Sequence, residues 1–269
     1  MGNYVTKFTL MMLVAILAVI SSEVHAAKLT VEPESHWWLS FGAAVILYAH
    51  IGAGVIGVVT GFVTSFTFKG GRTHRMTGRL FVVAMLVCYL LAAIVSPFLE
   101  TQQSTNFVAA ILALYLLISG TRAAQCRTFV AGLGEKIGLV CALFITMLGA
   151  TFMYLSYQSP DGSFDGSPAQ AYVLFIVVGS LAFAGDLTAL VKKSLSHKMR
   201  ISRHLWRMCM SFFIASGSLF FGQAQVFPDW FNASLLPLAL GFFPIAILIV
   251  YFVKRFLTGR IVKAQVKAA

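Results

Sequence analysis

The chain has 269 residues, of which 59% are hydrophobic and 11% charged, and its mean hydropathy is +0.86. Soluble domains carry roughly 25% charged residues, so the composition excludes a soluble domain of useful size and points to a polytopic membrane protein whose partner is the lipid bilayer. The net charge of +11 would suit a nucleic-acid binder, but the basic residues fall almost wholly in short connections, which speaks for membrane topology and against nucleic acid.

Residues 1–26 read as a secretory signal peptide, with an uncleaved anchor helix as the alternative. Lys7 precedes an apolar run from Phe8 to Ile20, and Val24-His25-Ala26 places small residues at the −3 and −1 positions. The transmembrane helical domain then occupies 37–254. Its first span, 37–65, opens on Trp37 and Trp38, where an aromatic belt belongs. His50 sits in this span with Gly54, Gly57 and Gly61 on the same face, and Gly57-x-x-x-Gly61 permits close helix approach.

A basic connection at 69–79 leads into span two, 78–98, broken near Pro97. Span three is 106–123 and span four 137–157. The connection 159–168 is rich in turn formers. Its Asp161 and Asp165 are too few for a calcium cage and read as a solvated turn. Span five, 169–191, contains Asp186. A basic loop at 192–203 precedes span six, 204–226, and span seven is 234–254. The basic tail 255–269 is expected to fray.

Charge supports this layout. Basic residues cluster at 69–79, 122–136, 192–207 and 254–267, and acidic ones at 32–34, 100, 161–165 and 229. Lys28 and Glu135 are the exceptions to the alternation. The positive-inside rule puts the mature N-terminus outside and the C-terminus in the cytoplasm, the outcome that seven mature spans give. Cys88, Cys126, Cys141 and Cys209 all lie in spans or basic connections, so structural disulfides are not expected.

Span six carries a polar stripe at helical spacing: His204, Arg207, Ser211, Ala215, Ser218, Gly222 and Gln225. Such a stripe faces other helices or a cavity, because lipid offers polar groups no partner. His50, His74 and His204 are the candidate metal or haem ligands. No second histidine lies at the depth of His50, which counts against bis-histidine ligation. Arg75, Arg79 and Arg207, with Arg72 and Arg203, have the charge to clamp an anionic headgroup, or are ordinary positive-inside residues. Gln223 and Gln225 suit a quinone headgroup or a bridge between helices. Asp186 is expected to pair with Arg203 and Arg207 across a short loop, with a proton-relay carboxylate as the alternative. No GxSxG, HExxH, P-loop or dinucleotide fingerprint occurs.

Three segments, Tyr48-Ala-His50, THRMTGRLF at 73–81 and RHLWRMCMSFFIASGSLFFGQAQVFP at 203–228, resemble an uncharacterised family of bacterial polytopic membrane proteins, a domain of unknown function. The HRxxGR and RHLWRM…GQ…FP patterns carry the likeness over roughly 40–250. The resemblance implies a compact helical bundle with His and Arg at one membrane face, and no particular reaction. It singles out His50, His74, Arg75, Gly78, Arg79, Arg203, His204, Trp206, Arg207, Gly222 and Gln223. RTHRMTGR at 72–79 and RISRHLWR at 200–207 also hint at a parallel internal repeat.

The fold expected is therefore an all-α membrane bundle of seven spans. The leading function is a membrane redox protein that binds b-type haem or a quinone. The alternatives are a small-solute or proton-coupled transporter, and a non-catalytic accessory or assembly subunit of a membrane complex.

Overall fold

The computed structural model describes residues 37–126 and 128–268, with side chains described from Phe41 to Leu257 apart from Arg127. The signal-peptide expectation for 1–26 lies outside these residues. The long helices are α1 (Trp37–Phe66), α2 (Arg72–Val95), α3 (Gln103–Gln125), α4 (Leu133–Gln158), α5 (Ala169–Lys192) and α6 (His197–Gly222). A single turn, α7 (Asp229–Asn232), precedes the last helix, α8 (Leu236–Ala268). Among the described residues seven helices are long and apolar enough to cross a membrane. The architecture is an all-α membrane bundle.

Helices α3 and α6 form its centre. Helix α6 packs on α3 and α8, α2 packs on α3 and α1, and α4 and α5 form a close pair. Leu112, Ala113, Leu116 and Leu117 of α3 are completely buried, whereas α1, α4 and α5 keep wide apolar faces outward. Small residues permit the closest approaches. A β-carbon at Gly57 would stand 2.5 Å from the Met85 methyl, and one at Gly61 would stand 2.9 Å from the Phe212 ring. Phe212 in turn meets Phe62 and Phe81 edge-on, at 5.1 and 5.6 Å between ring centres.

Several boundaries differ from the sequence reading. Helix α2 begins at Arg72, directly after Gly70 (φ +78°) and Gly71. Arg72, His74 and Arg75 therefore ride its first turns rather than a loop, and Arg79 follows them on the same helix. Helix α6 begins at His197, not 204, because the Ser196 hydroxyl accepts the Met199 N–H as an N-cap. It stops at Gly222, so Gln225 belongs to a 3₁₀ turn (Ala224–Val226) and not to the helix face. Helix α2 tightens into a 3₁₀ turn (Ser96–Phe98) at Pro97, which has no N–H to continue the ladder. The tail expected to fray continues α8 through Ala268; Lys, Arg, Ala and Gln are strong helix formers.

Two short strand pairs close the ends. Strands β2 (Ser163–Phe164) and β3 (Ser167–Pro168) form a hairpin whose central residues, Asp165 and Gly166, have φ of 51° and 68°. That is the positive-φ geometry Asp-Gly favours in two-residue hairpins. Asp165 Oδ2 also accepts the Ser104 N–H at 2.7 Å, and Asp161 accepts from Ser159 and Ser163. Both aspartates therefore serve the turn. At the opposite end β1 (Phe129–Val130) pairs with β4 (Ser194–Leu195), tying two basic connections together.

Candidate functional site

The polar residues separate into two sites at different depths. The first lies in the half of the bundle nearer the acidic connections. A cavity of about 260 Å³ opens there between α1, α2, α3 and α6, lined mainly by apolar groups such as Ile51, Val55, Val58, Ala92, Ala109 and Leu219. His50, Tyr89, Ser96, Asn106, Ser218 and Gln223 supply its polar atoms. His50 is oriented by its neighbour, since Nδ1 donates to the Cys88 carbonyl at 2.9 Å. Its Nε2 has no hydrogen-bond partner among the described residues. Gln223 Oε1 accepts from Gln225 Nε2 at 2.8 Å, which leaves the Gln223 amide nitrogen unused. The Tyr89 and Ser96 hydroxyls and one Asn106 amide N–H donate to the carbonyls of Ser211, Ala92 and Gln102.

The second site is a buried ionic cluster in the basic half, where α3, α4, α5 and α6 converge. Asp186 is completely buried. Its Oδ2 accepts from the Tyr115 hydroxyl, and its Oδ1 accepts from Arg203 Nη2 and, at 3.1 Å, from Arg207 Nη2. Arg207, also completely buried, donates to Ser119 Oγ at 2.5 Å and to the Ala182 carbonyl at 3.2 Å. Its guanidinium lies 5.0 Å from the centre of the Tyr115 ring and 5.4 Å from that of Trp206. Arg203 reaches the Gly185 carbonyl at 3.2 Å. Arg200 caps the end of α3 through the Ala123 and Ala124 carbonyls, both at 2.9 Å. Nearby, Arg122 meets Glu135 at 2.5 Å, and Glu135 also accepts the Gly132 N–H at 2.8 Å. The Nε atoms of Arg200, Arg203 and Arg207 have no partner among the described residues. The two arginines on Asp186 exceed its charge by one, and backbone carbonyls supply the remaining negative potential.

His74 and His204 belong to the basic end. His74 Nδ1 donates to the Thr64 carbonyl at 3.3 Å, near the end of α1, and His204 Nδ1 donates to the Gly120 carbonyl at 3.0 Å, near the end of α3. Lys69 Nζ joins His74 there by donating to the Ser65 carbonyl at 2.7 Å. Thr64 and Ser65 lie in the last turn of α1, where carbonyls lack full intrahelical partners, whereas Gly120 lies more than a turn before the end of α3, so His204 ties α6 to the α3 backbone.

The structure therefore corrects the grouping of His50, His74 and His204 as one metal or haem set. His50 bonds Cys88, which lies fourteen residues beyond His74 along α2, an axial separation of about 21 Å. No cluster of three or more His, Cys, Asp or Glu that could hold a metal ion occurs among the described residues. Arg75 and Arg79 are exposed and join neither site. Arg203 and Arg207 point into the ionic cluster and do not form a headgroup clamp with them. Gln223 does share a cavity with His50, although 173 positions separate them in the chain.

Sequence reasoning missed Tyr115, Ser119 and Arg122 as a set. They stand at +4 and +3 on α3, the periodicity of a single helix face. The signal was present but diluted by the surrounding Leu, Ile and Ala. No family model, no curated protein and no solved structure matches the chain.

Proposed function

We propose that this chain is an inner-membrane protein that binds the ring of a lipid-soluble quinone in the His50–Gln223 cavity. The observation that carries this reading is His50, whose Nε2 has no partner among the described residues, on the wall of a mainly apolar cavity inside the membrane span. An ionisable residue at that depth marks a functional site by default. The volume, about 260 Å³, lies just below the roughly 300–1,000 Å³ usual for ligand clefts and suits a single substituted ring. The adjoining Gln223 amide supplies a donor for a ring oxygen.

The wider reading follows the charge pattern. The basic end faces the cytoplasm, the cavity opens in the outer half, and 1–26 is removed as a signal peptide. The chain groups with the bacterial membrane proteins that its HRxxGR and RHLWRM…GQ…FP segments resemble. The engagement of both Asp186 oxygens in a packed cluster favours the quinone reading over the transporter alternative.

The test is to purify the full chain in mild detergent and extract its lipids. Near-stoichiometric quinone in the wild type, lost on Ala215→Phe (which fills the cavity) and on His50→Leu, supports the reading. Wild-type protein that retains no quinone after incubation with an excess sinks it. An optical spectrum of the same sample, before and after dithionite, addresses haem. A reduced α-band that His50→Leu abolishes would assign His50 to iron instead.

A further inference from the structure

We infer that the His50 cavity selects the reduced, dihydroxy form of the ring over the oxidised quinone; this rests on the quinone-site reading above. The Cys88 carbonyl carries no proton, so its 2.9 Å bond to His50 places the imidazole proton on Nδ1. The cavity wall carries no carboxylate to balance an imidazolium, and an unbalanced charge in an apolar cavity is costly. His50 is therefore the neutral tautomer, and its Nε2 presents a bare lone pair.

A lone pair needs a donor. A quinol hydroxyl supplies one and completes the hydrogen bond. A quinone carbonyl offers only lone pairs of its own, which leaves Nε2 unsatisfied and faces it with like polarity. The remaining polar groups do not reverse this preference. The protons of Tyr89 and Ser96 and one Asn106 amide N–H are committed to backbone carbonyls, while the second Asn106 N–H and the Ser218 hydroxyl can donate to a carbonyl or a hydroxyl oxygen alike and do not separate the two forms. The Gln223 amide nitrogen donates equally well to a quinone carbonyl or a quinol oxygen. The distinction between the two redox forms therefore falls on His50. The bound hydroxyl also finds at Nε2 an atom able to hold its proton.

The experiment is equilibrium dialysis of the full chain in nanodiscs under argon. The probes are a decyl-tailed benzoquinone and, separately, its dithionite-reduced quinol. One hydrogen bond gained against one left unmade gives the quinol an advantage of about tenfold or more. His50→Leu brings the ratio close to one. His50→Gln does the same, because an amide can donate as well as accept, and it stands in if the leucine variant does not fold. Gln223→Leu weakens both probes and leaves the ratio unchanged. Equal affinities in the wild type, tighter quinone, or a preference that survives in the folded His50 variants would overturn the inference while leaving the quinone site standing. A wild-type protein that binds neither probe would overturn both.

Discussion

Arg207 and Asp186 meet at 3.1 Å with neither side chain exposed to solvent. They stand on consecutive helices, α6 and α5, and the Tyr115 hydroxyl and Arg203 complete the carboxylate's shell. A buried ion pair of this kind adds little net stability relative to a well-packed apolar pair, since desolvation offsets the attraction. Breaking it is another matter, because the partner left behind is a buried and uncompensated charge.

Asp186→Ala therefore destabilises the protein by about 3–5 kcal/mol, as two guanidinium groups lose their counter-charge together. Tyr115→Phe removes one bond to the same carboxylate and costs about 1.5–3 kcal/mol. Thermal unfolding in detergent, followed by circular dichroism, checks both. Equal stability of Asp186→Ala and wild type would show that the cluster is hydrated and not buried.

Gly138→Ala should damage the same cluster from the α4 side. The added methyl would lie 2.7 Å from Asp186 Oδ2 and 3.0 Å from the Tyr115 ring, and the hydrogen bonds of the cluster hold both in place. The expected loss is about 1–3 kcal/mol. Gly57→Ala makes a useful contrast. Its added methyl would meet Met85 from the terminal methyl at 2.5 Å to Cγ at 3.0 Å, but an unbranched thioether repacks more readily than a hydrogen-bonded carboxylate, so the loss should be smaller. A reversed order in measured melting temperatures would contradict this packing account.

Glu135→Gln at the start of α4 weakens a cap that a neighbouring arginine reinforces. Glu135 is 3% exposed and bonds both Arg122 and the Gly132 N–H. Arg122 is 37% exposed and recovers hydration, so the cost falls on the cap and reaches only about 1 kcal/mol. Hydrogen exchange should rise in the first turn of α4 and stay unchanged in α1 and α2.

The 159–168 connection should respond to acid through Asp161. Hydrogen bonds from Ser159 and Ser163 hold its carboxyl down at about 2. A carboxyl whose folded value is depressed stabilises the fold above the ordinary carboxylate value, about 3.9, and that contribution is lost as the pH falls toward 2. Limited proteolysis of the loop should therefore accelerate between about pH 4 and pH 2 with an acid-active protease. Asp161→Asn should cleave at the same rate at both pH values.

Much of the architecture was legible in the chain. Long apolar runs bounded by charged connections define the seven helices, because lipid leaves a spanning backbone no partners except its own. Asp186 and Arg203 lie seventeen residues apart around one tight connection, so their meeting follows from local geometry. Helix ends were less legible. The basic stretch before 204 lacks the hydropathy of a span, yet Ser196 caps a helix there, because hydropathy reports burial in lipid and not backbone conformation.

Composition, periodicity and the alternation of charge by themselves determined an all-α membrane bundle, its approximate spans and the polar character of α6. Only the tertiary structure decided which polar groups share a site. It joined His50 to Gln223 across a cavity walled by four helices, and it separated His50 from His74 and His204 by the axial length of α2. The physical reason is that helix periodicity records which face a residue occupies, while the depth and rotation of one helix against another come from side-chain packing. Gly57 against Met85 and Gly61 against Phe212 are contacts of that kind, and no single segment of the chain encodes them.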